Sequence, residues 1–157
     1  MVRALVCPGQ GSQSIGMGKL LADEYSSAKA IFEEVDEALG ENLSSLIWEG
    51  EIEELTLTQN AQPALMAMSL AVLRGLESEG FKTENCAYLA GHSLGEYSAL
   101  AISKAISVSD AARLLRARGL AMQDAVPVGV GAMAAILGLN FATVQSLAAE
   151  AQAAGIC

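Results

Sequence analysis

The sequence contains one histidine, His92, and three widely separated cysteines, Cys7, Cys86 and Cys157, with no Cys-x-x-Cys pair. Zinc sites draw on clustered Cys and His, and disulfide frameworks on closely spaced even sets, so no metal and no disulfide is expected. Nine Lys and Arg against eighteen Asp and Glu give a formal charge of -9, and no basic run interleaves with aromatics. A surface of that sign repels a phosphate backbone, which argues against a nucleic-acid partner. Long apolar runs are missing as well. The stretches Ala64 to Leu73 and Val130 to Leu139 fall short of the ~20 residues that span a bilayer, and the apolar run before Pro8 is too short for a signal-peptide core. A cytoplasmic protein with reduced thiols and no membrane partner is the expectation.

What the chain does have is apolar substance: 157 residues, 52% hydrophobic, enough for one packed domain that buries ~68–70% of its unfolded surface. Arg3 to Cys7 reads as a buried strand broken by Pro8-Gly9-Gln10-Gly11, and a helical pattern follows from Met17 to Leu39, stopped by Gly40. Residues 41–58 read as loop with short helical turns. Gln62-Pro63 opens a helix to Glu79, closed by Gly80. A strand over Ala87 to Ala90 leads into a helix reaching Lys104, and Ser109-Asp110 caps another reaching Ala125. Strands alternating with helices predict a parallel α/β sheet. Pro127, Gly129 and Gly131 then form a joint, followed by an apolar run, Ala132 to Leu139, and a helix over Asn140 to Ala154 ended by Gly155. Ile156-Cys157 reads as the start of another strand. A second subdomain therefore begins near residue 128, and one strand with one helix cannot bury both its faces.

Gly91-His92-Ser93-Leu94-Gly95 fits G-x-S-x-G, in which a sharp strand-to-helix turn exposes a serine hydroxyl and the glycines relieve crowding. The bland alternative is a plain turn, but a strand before it and a helix after it are the setting the motif needs. Ser93 is the candidate nucleophile, and the backbone N–H of Leu94, at the head of the helix, faces any oxyanion formed on the attacked carbonyl. His92 is adjacent to Ser93 on a tight elbow, where side chains diverge, so it is expected to hold the turn or line the entrance rather than act as general base.

Gly9-Gln10-Gly11-Ser12-Gln13-Ser14 lacks the third glycine of a dinucleotide fingerprint, and Gly18-Lys19-Leu20 fails as a phosphate-binding loop. What remains is a donor-rich loop at the carboxyl end of a parallel strand, where ligands bind in such sheets, or simply a tight turn. Arg118 is more informative. Its neighbours at helical spacing are Ala111, Leu114, Leu115, Ala121, Met122 and Ala125, which puts it in the middle of an apolar stripe, while Arg113 and Arg116 fall on what reads as a solvated face. An inward guanidinium needs an anionic partner and suits a carboxylate bidentately. That partner is either an internal Asp or Glu or a substrate carboxylate.

Taken in order, Pro8-Gly9-Gln10-Gly11-Ser12-Gln13, Gln59-Asn60-Ala61-Gln62-Pro63-Ala64, Gly91-His92-Ser93-Leu94-Gly95-Glu96-Tyr97, Arg118-Gly119 and Gly131-Ala132-Met133-Ala134-Ala135 resemble the malonyl-CoA:acyl-carrier-protein transacylase family across the whole chain. The resemblance implies an α/β-hydrolase-like core over residues 1–127 and the beginning of a ferredoxin-like small subdomain over 128–157. It implies an acyltransferase of fatty acid biosynthesis. Ser93 takes a malonyl group from coenzyme A as an ester and yields it to the phosphopantetheine thiol of acyl carrier protein. By the same resemblance, the N–H groups of Gln10 and Leu94 form the oxyanion hole, Arg118 grips the malonyl carboxylate, and Gln10, His92 and Met122 contact the substrate. No cofactor is implied, coenzyme A entering as the substrate thioester. Family members are considerably longer and carry their catalytic histidine beyond residue 157, so this chain is expected to be their front half, inactive or weakly active without the remainder.

Two rival readings stand beside this one. An α/β-type serine hydrolase needs an acid and a histidine after the serine, and no histidine follows Ser93. A non-catalytic module that holds acyl-CoA or a carrier protein would need neither.

Overall fold

A computed structural model describes residues 2–126 and 136–154 of the chain. They fall into two compact units, Met1–Val126 and Pro127–Cys157. In the first, β1 (Ala4–Cys7) pairs in parallel with β2 (Tyr88–Gly91), with Ala4 opposite Tyr88 and Cys7 opposite Gly91. Between them run α1 (Lys19–Glu24), α2 (Ser26–Leu39), α3 (Leu43–Glu49), α4 (Ile52–Thr56) and α5 (Thr58–Ser78). After β2 come α6 (Gly95–Ile102) and α7 (Val108–Ala125). The result is the mixed α/β arrangement with a parallel pair that the strand and helix alternation predicts.

The core lies where α2, α5 and α7 pack against one another. α2 supplies Ile31, Phe32 and Val35, α5 supplies Leu65, Met66 and Leu70, and α7 supplies Ala111 and Leu115, all nearly inaccessible to solvent. Burying each larger side chain contributes about 1.5–3 kcal/mol. Phe32 also meets Trp48 of α3 edge to face, with ring centroids 5.2 Å apart. Leu5 and Cys7 turn toward this core, whereas Val6 and Tyr88, on the opposite face of the strand pair, stay 69% and 67% exposed.

Several boundaries differ from the sequence pattern. The helix expected over Met17 to Leu39 is two helices, because Tyr25 adopts extended backbone between them and its phenol donates to Glu79 at the far end of α5, 3.1 Å away. α5 does not open at Gln62-Pro63: it begins at Thr58 and carries Pro63 inside. Proline there removes the N–H that would serve the Gln59 carbonyl, yet the turn is held by tertiary burial, with Ala61, Gln62, Ala64 and Met66 fully enclosed. The cap of α7 is Ser107, not Ser109. Its hydroxyl accepts from the Asp110 N–H at 3.0 Å and donates to the Asp110 carboxylate at 2.7 Å.

The described part of the second unit holds α8 (Phe141–Ala153), with Asn140 as its cap, accepting from the Thr143 N–H at 2.9 Å. Ile136 to Leu139 are not in a strand. The joint at Pro127, Gly129 and Gly131, most of the apolar run from Ala132, the Gly131–Ala135 motif, Gly155 and the Ile156-Cys157 strand start lie outside the described residues. Among the described residues, no helix is long and apolar enough to cross a membrane.

Candidate active site

The site begins with the parallel register, which brings the ends of β1 and β2 side by side. The His92 N–H continues the ladder to the Cys7 carbonyl at 3.1 Å, and the chain then turns sharply into α6. The two glycines of the motif are needed because nothing larger fits. A Cβ on Gly91 would lie 1.9 Å from the Gly95 carbonyl carbon, and one on Gly95 would lie 2.4 Å from the Cys7 carbonyl oxygen. At the apex Ser93 has φ 55°, the left-handed region that a non-glycine residue seldom occupies. This strained apex leaves the Ser93 side chain exposed at the head of α6.

Leu94 is the residue before α6, its side chain buried, and its N–H finds no acceptor among the described residues. The helix start adds positive potential at the same point. Gln10 lies three residues past β1 and is exposed; its side-chain amide donates to the Thr58 hydroxyl, the first residue of α5, at 3.4 Å. The imidazole of His92 sits over Gly9, where a Cβ would meet Nδ1 at 2.4 Å. Among the described residues no hydrogen bond joins His92 to the Ser93 hydroxyl.

Arg118 reaches that hydroxyl instead. Its Nη2 donates to Ser93 Oγ at 3.1 Å, and its Nη1 donates to Gln62 Oε1 at 2.5 Å. Because a guanidinium only donates, the Gln62 amide must turn its oxygen toward Arg118, and its NH2 then donates to the Met122 sulfur at 3.4 Å. Ser93, Arg118, Gln62 and Met122 thus form one chain of contacts, three of its members lying on α5 and α7. Arg118 has no carboxylate partner among the described residues, so the internal ion pair is not what holds it.

The stripe that pointed to Arg118 needs correction. The buried face of α7 is Ala111, Ala112, Leu115 and Gly119, while Leu114 is 48% exposed and Ala121 and Ala125 are also open. Arg118 stands at the edge of the buried face, not its middle. Arg116 flanks the other edge and is not solvated: its guanidinium pairs with Glu41 and donates to Asn60, and burial pushes it down from its ordinary value. The two arginines therefore clasp α5 through Asn60 and Gln62. Between them Gly119 lets the helices touch, since a Cβ there would lie 2.5 Å from the Gln59 Cα.

Sequence reasoning quoted Gln62 within a motif but gave it no role. The available signal was the one that found Arg118, a polar side chain set in an apolar run, Ala61 to Ala67.

Comparison with known proteins places the chain in a family. A family model described as "Acyl transferase domain" matches residues 4–152. The malonyl CoA-acyl carrier protein transacylase of Bacillus subtilis (strain 168) is 55% identical over 137 residues, 87% of this chain and 42% of the relative. The crystal structure of the acyl-carrier-protein-S-malonyltransferase from Bartonella henselae superposes with a TM-score of 0.88 at 55% identity, covering 94% of this chain and 47% of that one. A complex of a type II PKS acyl-carrier protein with its malonyl-transacylase matches at TM-score 0.88 and 42% identity, covering 98% and 49%. The chain spans less than half the length of these relatives. It belongs to the acyl transferase domain family, as the resemblance of its motifs to the malonyl-CoA:acyl-carrier-protein transacylases implies.

Proposed function

We propose that this chain carries the acyl-accepting half of a malonyl transfer site. The observation that carries the reading is the 3.1 Å hydrogen bond from Arg118 Nη2 to Ser93 Oγ, which sets a cation directly beside an elbow hydroxyl. A malonyl thioester has a carbonyl to be attacked and, two carbons away, a carboxylate to be gripped. Ser93 Oγ adds to the thioester carbonyl of malonyl-CoA, the oxyanion sits on the N–H groups of Leu94 and Gln10, and the C–S bond breaks to release coenzyme A. The phosphopantetheine thiol of acyl carrier protein then attacks the malonyl ester and frees the serine. Gln10, His92 and Met122 contact the acyl group and its entrance. No cofactor takes part.

Among the described residues the group hydrogen-bonded to the Ser93 hydroxyl is Arg118, which only donates and so cannot accept its proton. The full reaction therefore requires a base beyond the groups assembled here, and the 157-residue chain alone transfers slowly. The residues at the elbow and the parallel strand pair support an α/β-hydrolase-like core over 1–127, with 128–157 beginning a ferredoxin-like small subdomain. A cytoplasmic role in fatty acid biosynthesis, with the remainder of a longer protein as partner, accompanies this reading.

Incubation with malonyl-CoA and measurement of intact mass tests it. Malonyl ester on Ser93, absent from Ser93→Ala and weaker with acetyl-CoA, is the expected result. Brisk hydrolysis of a neutral aryl ester without acyl transfer would support a serine hydrolase instead. That no proton acceptor is hydrogen-bonded to the Ser93 hydroxyl among the described residues favours one second reading, a module that binds the thioester without turnover, and binding with no covalent product would establish it.

A further inference from the structure

We infer that Gln62 is a positioning residue of the acyl site, one that turns the Arg118 guanidinium toward the acyl group and keeps it uncompensated. The inference rests on the malonyl reading above. Gln62 is fully buried on the second turn of α5, an unusual place for an amide unless its hydrogen bonds are met. They are met on both sides, by Arg118 on the oxygen and by the Met122 sulfur on the nitrogen. Since thioether sulfur accepts and guanidinium donates, the amide has one orientation, and Arg118 has one nitrogen fixed and the other free to point at Ser93.

The chemistry of the anchor matters as much as its position. A carboxylate at residue 62 would hold the guanidinium equally well in space but would neutralise it, and a substrate carboxylate would then compete with an internal one. An amide supplies the acceptor without the charge. The guanidinium keeps its full attraction for an incoming anion, while an acyl group lacking a carboxylate gains nothing from it. Preference for a dicarboxyl thioester is thus set by two residues, and the one that never touches substrate is Gln62. Met122 contributes by fixing the far end of the amide.

Equilibrium binding of malonyl-CoA and acetyl-CoA tests this in a Ser93→Ala background, where no ester forms. The parent is expected to bind malonyl-CoA at least tenfold more tightly than acetyl-CoA. Adding Gln62→Glu should bring that ratio close to one, with acetyl-CoA affinity changed less than twofold. Gln62→Leu, which removes the anchor without adding charge, should lower the ratio at least threefold. Unchanged amide spectra and melting temperature would establish that each variant folds. Equal weakening of both ligands would mark Gln62 as merely structural and overturn the inference, as would an unaltered ratio in Gln62→Glu. A parent with no malonyl preference would overturn the reading of Arg118 itself, and the inference with it.

Discussion

Ser93 accepts a hydrogen bond from Arg118 at 3.1 Å while its own backbone is held at φ 55°. The two facts have one origin. The left-handed turn at the elbow holds Oγ where the α7 guanidinium, anchored on α5 through Gln62, meets it. Local strain at Ser93 is the cost of that meeting, of the order of 1 kcal/mol for a non-glycine residue.

Ser93→Gly is therefore expected to be more stable than the parent. Glycine adopts φ 55° without penalty, and relief of about 1 kcal/mol corresponds to a rise of roughly 2–4 °C in melting temperature at this chain length. Ser93→Ala keeps a Cβ at the same φ and should show no such rise. Both variants should lose malonyl labelling. Calorimetric melting beside intact mass measurement checks this, and a Ser93→Gly protein that melts below Ser93→Ala would contradict the strain.

The elbow was legible in the sequence because its requirements are local: a strand, two glycines, a serine and a helix within a dozen residues. Arg118 was legible for a weaker reason, since helical periodicity located a charge beside apolar residues but misjudged which side of it was buried. Arg116 shows the limit of such reading. Its partners, Glu41 and Asn60, are far away in sequence, and periodicity alone could only place it on a solvated face. The early start of α5 and the break at Tyr25 were hidden likewise, because a helix boundary set by tertiary burial or by a phenol-to-carboxylate bond leaves no local mark. Gln62 needed both halves of the picture, an odd residue in an apolar run and a partner on another helix.

Glu77 gives the fold a measurable acid dependence. Burial raises its carboxyl, but hydrogen bonds from Thr83 at 2.8 Å and Arg74 at 2.7 Å outweigh it and hold the group below the ordinary carboxylate value. A lowered carboxyl stabilises the fold above its unfolded value of ~4.3, and the contribution is lost as pH falls through the lowered folded value. Glu77→Gln should cost about 0.5–1 kcal/mol at pH 7, and the two proteins should converge in strong acid. Urea unfolding at several pH values reads the difference, and a gap that persists unchanged below pH 3 would contradict it.

The described cysteines should differ in reactivity. Cys7 is 2% exposed, and burial pushes its thiol up, away from the reactive thiolate. Cys86 is only half-buried before β2. Iodoacetamide at neutral pH should modify Cys86 well before Cys7, with Cys7 reacting only on unfolding. Peptide mapping over a time course measures both rates, and prompt labelling of Cys7 in the folded protein would show β1 less protected than its packing requires.

Gly119→Ala tests whether the helix contact, rather than either helix alone, builds the site. The added Cβ would lie 2.5 Å from the Gln59 Cα and 2.7 Å from the Thr58 carbonyl oxygen, both backbone atoms that cannot swing aside. Alanine is otherwise the better helix former, so an isolated α7 would gain up to about 1 kcal/mol from the change. In the folded chain, overpacking should dominate and cost about 1–3 kcal/mol. The separation it forces falls between the two clasps, Arg116 with Asn60 and Arg118 with Gln62. Loss of stability should therefore come with weakened malonyl-CoA binding, whereas a change remote from the site would lower the melting temperature and leave ligand affinity intact. Thermal unfolding and malonyl-CoA titration on the same sample separate the two, and a Gly119→Ala protein as stable as the parent would mean that α5 and α7 do not approach this closely.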